Sequence, residues 1–110
     1  MYVEFKTLKL KKQCEDINLA RRQWGEPVAR KIIQRINELI AAERLCDISH
    51  LPPTRCHALT HNRKGQFAVD LTGQLRLVFQ PINDDGLVLT GVEPLHIYRV
   101  KILEVIDYHE

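Results

Sequence analysis

The sequence predicts a single α+β domain over residues 1–110, with a mostly antiparallel sheet of four to five strands and two N-terminal helices packed on one face. Three observations predict this class. The first half of the chain contains an apolar pattern with a helical period, and the second half changes to a period of two. Short turns separate the period-two segments, and no repeat or Pro/Gly/Ser linker divides the chain. Helices segregated from hairpin-linked strands are typical of α+β domains, so the other sheet face is expected to be free for binding.

The helices are predicted in the N-terminal part of the chain. Residues 2–6 alternate and favour a first strand, after which Thr7 can cap a short helix that runs towards Cys14. Pro27 suits the first turn of a second helix, which we predict over residues 27–44. Its apolar face carries Ala29, Ile32, Ile33, Ile36, Leu39 and Ile40, and its polar face carries Arg30, Lys31, Gln34, Arg35, Asn37 and Glu38.

The strands follow Pro52–Pro53, which excludes helix at that point. We predict strands over residues 55–59, 66–71, 75–80 and 97–108, with turns at 62–65 and 72–73 and a looser segment over 87–96. Phe67, Val69 and Leu71 fall on one face of their strand, and Ala68 and Asp70 fall on the other. The sheet is therefore expected to have one apolar and one mixed face.

Composition and charge exclude some classes of protein. Hydrophobic residues make up 45% and charged residues 27%, which is typical of globular proteins. There is no apolar run of about 18 residues to span a membrane, and the start has the reverse charge order of a secretory signal. We expect a cytoplasmic protein with no membrane partner. The net charge of +2, with lysines and arginines gathered in the first half, is compatible with contact to a polyanion. Charge alone favours solvated helix faces.

The cysteines predict reduced thiols. Their number is odd and no CxxC spacing occurs, which argues against a disulfide framework. Two of the cysteines and three histidines crowd into one segment, namely Cys46, His50, Cys56, His57 and His61. Thiolates and imidazoles suit zinc, but these spacings match no zinc finger or ribbon. We therefore predict no metal and no other cofactor.

The chain ends in a cluster that could carry chemistry, Asp107-Tyr108-His109. On a strand, Asp107 and His109 point to the same face about 7 Å apart. A carboxylate near an imidazole orients the ring and raises its pKa, which suits proton transfer near neutral pH. The alternative is a polar terminus that is exposed and frayed.

Three other features have two interpretations each. Arg76 lies on the strand face opposite its leucine neighbours, where it either pairs with a carboxylate such as Asp70 or binds an anion such as phosphate. His57 is on its own a structural histidine or a catalytic one. Arg63-Lys64 begins a basic turn that is either solvated or binds a ligand.

In combination, these residues resemble the HigB-type killer proteins of the RelE/ParE toxin superfamily. The stretch RCHALTHNRKGQFAVDLTGQLRLVF and the ending LEVIDYHE carry the resemblance. Members of the family have a histidine-bearing strand, a basic turn before a Gly-x-aromatic strand, an Arg-Leu-x-Phe strand and a terminal Val/Ile-x-Asp-Tyr-His. The matching positions here are His57, 63–67, 76–79 and 105–109. The resemblance implies a RelE-like fold.

The resemblance also implies a function: the toxin of a type II toxin–antitoxin pair, a ribosome-associated endoribonuclease that cleaves messenger RNA. Its partner would be a HigA-like helix-turn-helix antitoxin. Cleavage without a metal needs a base for the ribose 2′-OH, an acid for the 5′-oxygen and a cation for the phosphate. The resemblance assigns proton transfer to His57 and His109 in either order, and orientation to Asp107. It assigns phosphate stabilisation to Arg76, and base stacking or support of the acid to Tyr108. Substrate binding is assigned to Arg63, Lys64 and His61.

The sequence departs from the family at Thr60-His61, where members commonly have Lys-Gly. This change removes a cation and a flexible residue from the basic turn, so either His61 takes over a role or the turn is used differently. The alternative function is a non-catalytic member of the same fold, either a gyrase-inhibitor-like protein or a module that binds RNA or protein. The cleavage-associated pair of His57 and the terminal cluster favours the nuclease.

Overall fold

Within residues 1–107, three α-helices follow the first strand, and four further strands come from the second half of the chain. The computed structural model describes residues 1–107. In chain order, its elements are β1 (Tyr2–Phe5), α1 (Leu8–Glu15), α2 (Ile17–Trp24), α3 (Glu26–Ala41), β2 (His57–Ala58), β3 (Phe67–Asp70), β4 (Leu75–Pro81) and β5 (Arg99–Asp107). The α+β class is confirmed, but the described residues form three helices where the sequence predicts two.

The additional helix, α2, is bounded by local signals. Thr7 caps α1 as predicted, because its hydroxyl accepts the Leu10 N–H at 3.1 Å. Asp16 then ends α1 and caps α2, since its carboxylate accepts the Asn18 N–H at 2.8 Å. Gly25, with φ of +82°, separates α2 from α3. Eight residues are too few to show a helical period clearly, and the sequence prediction missed α2 because it used Thr7 as a cap for α1 but did not use Asp16 as a cap for α2.

The long helix α3 differs from its prediction at three points. It ends at Ala41 and not near residue 44, and Ile40, predicted on the apolar face, is 54% exposed. Arg35, predicted on the polar face, is 1% exposed. The physical reason is that an ion pair compensates the charge of the guanidinium, whose Nη1 lies 2.6 Å from Glu38 Oε1. Neither α3 nor any other helix within residues 1–107 is long and apolar enough to cross a membrane.

The sheet has the strand order β1-β5-β4-β3-β2. β1 runs parallel to β5 and the other three pairs are antiparallel, so the sheet is mixed. The register shifts at a bulge between Val78 and Phe79 of β4. β2 is shorter than predicted because Arg55, with φ of +46°, is not in a strand conformation. β5 begins at Arg99, two residues later than predicted.

The two faces of the sheet differ in composition. The helix-covered face packs against α1 and α3 and contains the main core, whose buried members are Cys14, Ile32, Ile36, Leu39, Leu45, Val69, Leu71, Leu77, Phe79, Ile97, Val100 and Ile102. The opposite face, which we call the second face, carries in register His57, Ala68, Asp70, Arg76, Val78, Glu104 and Ile106. Among the described residues, the buried part of this face is a small apolar cluster around Ala68 and Val78. The second face is therefore the place to look for a polar site.

Candidate functional site

The second face brings together two of the predicted catalytic residues. His57 lies opposite Ala68 in the β2–β3 pairing, and Arg76 lies opposite Asp70 in the β3–β4 pairing. Directly opposed residues of an antiparallel pair point to the same face. His57 and Arg76 are thus two strands apart on one face, roughly 10 Å across the sheet by ordinary strand spacing.

Arg76 pairs with Asp70, one of the two interpretations that its position left open. Arg76 Nε lies 2.9 Å from Asp70 Oδ1, and the two side chains are 13% and 15% exposed. Arg76 Nη1 also donates to the carbonyl oxygens of Gly73 at 3.2 Å and Leu75 at 3.0 Å. The contact with Asp70 Oδ1 is an ion pair without hydrogen-bond geometry, because that oxygen has no hydrogen-bond donor among the described residues. The Arg76 side chain is therefore held in place by its contacts with Asp70 and with two backbone oxygens.

A second arginine, which the sequence analysis did not single out, reaches the same carboxylate. Arg55 Nη1 lies 3.3 Å from Asp70 Oδ2, with 48% of the arginine side chain exposed. Asp70 thus lies between two guanidinium groups. The carboxylate of Asp70 on the polar side of its strand is a signal for the pair with Arg76, but no local pattern indicates Arg55, which is 15 residues from Asp70 in the chain.

The imidazole of His57 has a defined orientation. Its Nδ1 lies 2.7 Å from the carbonyl oxygen of Arg55. A carbonyl oxygen can only accept a hydrogen bond, so we assign the proton to Nδ1. The lone pair of the neutral ring then resides on Nε2, which can accept a proton. This fixed tautomer is what a general base requires.

The neighbouring thiol is unsuited to act as a nucleophile. Burial raises the pKa of Cys56 to about 12. The thiolate is the reactive form of cysteine, and very little of it is present at neutral pH when the pKa is that high. Cys56 is therefore not a candidate nucleophile at neutral pH.

The buried side chain of Arg35 contacts the backbone of both segments that carry the cluster. Arg35 Nε donates to the backbone oxygen of Asp70 at 2.7 Å, and Nη2 donates to the Pro53 oxygen at 3.4 Å. The Asp70 N–H in turn donates to the Thr54 oxygen at 2.8 Å. The segment before His57 and the end of β3 are thus tied together through a helix residue.

The terminal cluster is placed only in part. Asp107, the last described residue, lies opposite Leu75, and alternation along β5 assigns it to the helix-covered face with Val105. The strands that carry Asp107 and His57 have two strands between them, so these residues are at least about 14 Å apart by strand spacing. Tyr108 and His109 lie outside the described residues. The structure therefore does not bring Asp107 and His57 into contact.

The predicted substrate-binding residues are divided between two places. Arg63 pairs with Glu104 and donates to Gln66 Oε1 at 2.8 Å, which turns its guanidinium onto the second face. His61 and Lys64 are exposed and line a cavity of about 510 Å³ at the β2 edge of the sheet. The basic turn thus contributes cations to two surfaces.

A second cavity, of about 590 Å³, lies next to the first and includes His57 in its lining. Cys46, His50, Cys56 and Glu93 also line it, which makes it the natural place for the metal site weighed from the sequence. Nevertheless, residues 1–107 contain no group of three or more His, Cys, Asp or Glu side chains that could hold a metal ion. The geometry gives no support to metal chemistry at these residues.

Comparison with known proteins identifies the fold. No family model and no curated protein sequence matches the chain. The YoeB/ParE toxin from Agrobacterium tumefaciens superposes with a TM-score of 0.59 at 9% identity, over 99% of this chain and 100% of that one. The chain has a YoeB/ParE-like fold. The YoeB-YefM complex from Staphylococcus aureus gives a TM-score of 0.56 at 14% identity, over 100% of this chain and 98% of that one. The fold expected from the RelE/ParE resemblance is thus supported, and the likeness to HigB in particular is not tested by it.

Proposed function

We propose that the chain, as a single domain of residues 1–110, is the toxin of a type II toxin–antitoxin pair and acts as an endoribonuclease on messenger RNA. Two lines support the proposal. The fold is that of a YoeB/ParE toxin, and the sequence resembles the HigB-type members of the same superfamily. Fold alone does not define activity, so the residues of the second face must carry the argument.

The observation that carries the proposal is the arrangement around His57. The Arg55 carbonyl oxygen accepts the Nδ1 proton of His57, and the Arg55 side chain contacts Asp70, which also pairs with Arg76. An oriented imidazole thus lies on the same face of the sheet as two arginines, and Arg76 is roughly 10 Å from it across the sheet. A ribonuclease that works without a metal needs this combination of proton transfer and phosphate stabilisation.

In the proposed reaction, a base removes the proton of the ribose 2′-OH and the 2′-oxygen attacks the adjacent phosphorus. The bond from phosphorus to the 5′-oxygen breaks, and an acid protonates that oxygen. His57 and His109 perform the two proton transfers, in an order that we leave open. Arg76 stabilises the phosphate, and Asp107 orients the imidazole of His109. Tyr108 stacks on a base or supports the acid. The roles of Tyr108 and His109 rest on the sequence resemblance.

The proposed partners are an antitoxin, the ribosome and messenger RNA in the cytoplasm. One of the similar solved structures is a complex of YoeB with YefM, which supports a protein partner for this chain. A HigA-like helix-turn-helix antitoxin follows from the sequence resemblance. Arg63, Lys64 and His61 would contact the substrate. The net charge of +2 is low for independent RNA binding and suits an enzyme whose substrate is held by the ribosome.

One observation favours the non-catalytic alternative. Arg76 and Asp70 form an ion pair, and Asp107 lies on the other face, so the cluster also has a purely structural explanation. A gyrase-inhibitor-like protein or an RNA- or protein-binding module would need the fold but not the proton chemistry of His57. The two functions differ in whether transcripts are cut.

Regulated expression in a bacterial host that lacks an antitoxin tests the proposal. We expect the wild type to arrest growth and to produce new 5′ ends within transcripts. His57→Gln and His109→Ala should lose both effects, while His96→Gln, an exposed histidine outside the site, should retain them. Normal growth at verified protein levels would contradict the toxin function. Arrest without transcript cleavage would favour the non-catalytic alternative.

A further inference from the structure

We propose that Arg55 is a phosphate-binding residue of this site and that Asp70 holds it in place until nucleic acid displaces the carboxylate. The inference rests on the proposed function in taking RNA as the ligand. It adds a residue that neither the sequence motifs nor the comparisons assign, and it explains why an acidic residue lies between two arginines on a face that is expected to meet a polyanion.

Accessibility separates the two arginines. Arg76 is 13% exposed and is engaged by Asp70 and by two backbone oxygens. Arg55 reaches Asp70 through Nη1 at 3.3 Å, and 48% of its side chain is exposed. A phosphate arriving from solvent therefore meets the guanidinium of Arg55 before that of Arg76. The planar fork of arginine suits two phosphate oxygens at once.

The backbone of Arg55 is held in an uncommon conformation. Its φ of +46° is in the left-handed region, which residues other than glycine rarely adopt. Two hydrogen bonds fix it there: its N–H donates to the Leu51 oxygen at 3.0 Å, and its own oxygen accepts from His57 Nδ1. One residue thus orients the imidazole through its backbone and presents a cation through its side chain. Such strain is retained where the surrounding structure requires that geometry.

The contact between Arg55 and Asp70 is of a kind that a ligand can replace. The Arg55 side chain is 48% exposed and the Asp70 side chain 15% exposed, so water competes for the guanidinium and the pair contributes little to stability. Asp70 would not be left alone after the exchange, since Arg76 Nε remains 2.9 Å from its other oxygen. The carboxylate therefore acts as an internal substitute for phosphate, occupying Arg55 in the free protein and repelling anions that cannot compete.

A binding measurement with the full chain tests the inference separately from cleavage. The probe is a short RNA of mixed sequence with 2′-O-methyl groups, which cannot be cut because the attacking oxygen is blocked. Fluorescence anisotropy gives the dissociation constant at several salt concentrations. Arg55→Gln should weaken binding about tenfold, as expected for the loss of one charged hydrogen-bonding group. It should also reduce the salt slope by about 0.7, the value for one contact to a single strand.

Further variants test the general effect of positive charge on binding and the role of the Asp70 carboxylate. Arg22→Gln removes the same charge from an exposed position on α2 and should change the dissociation constant less than twofold, about the limit for a distant surface charge screened by salt. Arg55→Lys should restore part of the binding. Asp70→Asn should tighten binding several-fold, and this gain should disappear in the double variant with Arg55→Gln. Thermal melting confirms that each variant is folded.

The outcomes separate this inference from the proposed function. Equal weakening by Arg55→Gln and Arg22→Gln would overturn it, because the effect would then be general charge. Wild-type protein that binds no probe even at low salt would also overturn it, while transcript cleavage in cells would still decide the function. Loss of binding specific to Arg55, in a protein that cuts no RNA, would support the inference and contradict the nuclease.

Discussion

The two faces of the sheet use charge in opposite ways. On the helix-covered side, the one buried charge is that of Arg35, which is enclosed by Glu38 and by backbone oxygens within the described structure. On the second face, Arg55, Asp70 and Arg76 form a chain of contacts that ends at a half-exposed guanidinium. The first arrangement is closed and serves the fold. The second is open to solvent at one end and can serve a ligand.

This difference separates stability from function along single strands. In β4, Leu77 and Phe79 belong to the main core. Arg76, which lies between Leu75 and Leu77 in the chain, belongs to the second face. Substitutions on alternating residues should therefore have different consequences. Large losses of stability should come from the helix-covered face, and losses of activity without unfolding should come from the second face.

The largest effect is expected at Phe79, which is fully buried in the main core. Phe79→Ala should lower the free energy of unfolding by about 3–5 kcal/mol, because it removes a large apolar group and leaves a cavity. Ile106→Ala, on the second face and only partly buried, should cost about 1 kcal/mol. Urea denaturation of both variants measures the difference. Equal losses would show that the second face is as much a core as the first.

The next effect is expected at Arg35. Arg35→Met should destabilise by about 3 kcal/mol, because two backbone oxygens and the Glu38 carboxylate, which is 33% exposed, lose a charged donor together. The segment before His57 should loosen as well, since Arg35 also holds the Pro53 and Asp70 oxygens. Hydrogen exchange of the amides of Arg55 and Asp70, which donate to the Leu51 and Thr54 oxygens, would detect this loosening. Unchanged exchange would mean that Arg35 serves the helix alone.

A smaller loss of stability is expected at Arg76, which pairs with Asp70 and is also proposed to stabilise phosphate. Arg76→Gln should lower the free energy of unfolding by about 1–3 kcal/mol, because Asp70 is 15% exposed and loses its nearer partner. Cleavage should fall by about two orders of magnitude if Arg76 also stabilises phosphate. Arg76→Lys keeps the charge without the fork and should restore stability better than activity. A variant that melts early yet cuts normally would remove Arg76 from the mechanism.

The smallest change in stability is expected at Arg55. Arg55→Gln removes one half-exposed ion pair, so the free energy of unfolding should stay within about 0.5 kcal/mol of the wild type. Chemical denaturation gives this value directly. A loss as large as that of Arg76→Gln would mean that Arg55 is part of the structural pair and not a free cation.

The local parts of the fold were predictable from the sequence. Thr7 and Pro27 marked helix starts correctly, and period-two alternation identified β3 and β4, because capping and alternation depend on neighbours in the chain. The burial of Arg35 was not predictable, because its acceptor on Asp70 is 35 residues away. The parallel pairing of β1 with β5 is a long-range contact of the same kind.

The candidate site was predictable as residues and not as geometry. The sequence named both Arg76 and its potential partner Asp70, and the structure shows them paired. It could not show Arg55, whose role depends on a left-handed backbone turn that no local pattern signals. The face occupied by Asp107 follows from its pairing with Leu75, which is set by the tertiary register of β4 and β5. The roles of Tyr108 and His109 stay predictions.

The central claim is that His57 on the second face is needed for the activity, and that the main core on the helix-covered face is needed for the fold. Two adjacent residues test it most directly, since His57 belongs to the second face and Cys56 packs against the main core. Growth arrest after regulated expression should be lost in His57→Gln, with a melting temperature close to that of the wild type. Cys56→Ala should melt earlier and still arrest growth below its melting temperature. Arrest by a stably expressed His57→Gln, or loss of arrest by a folded Cys56→Ala, would contradict the account.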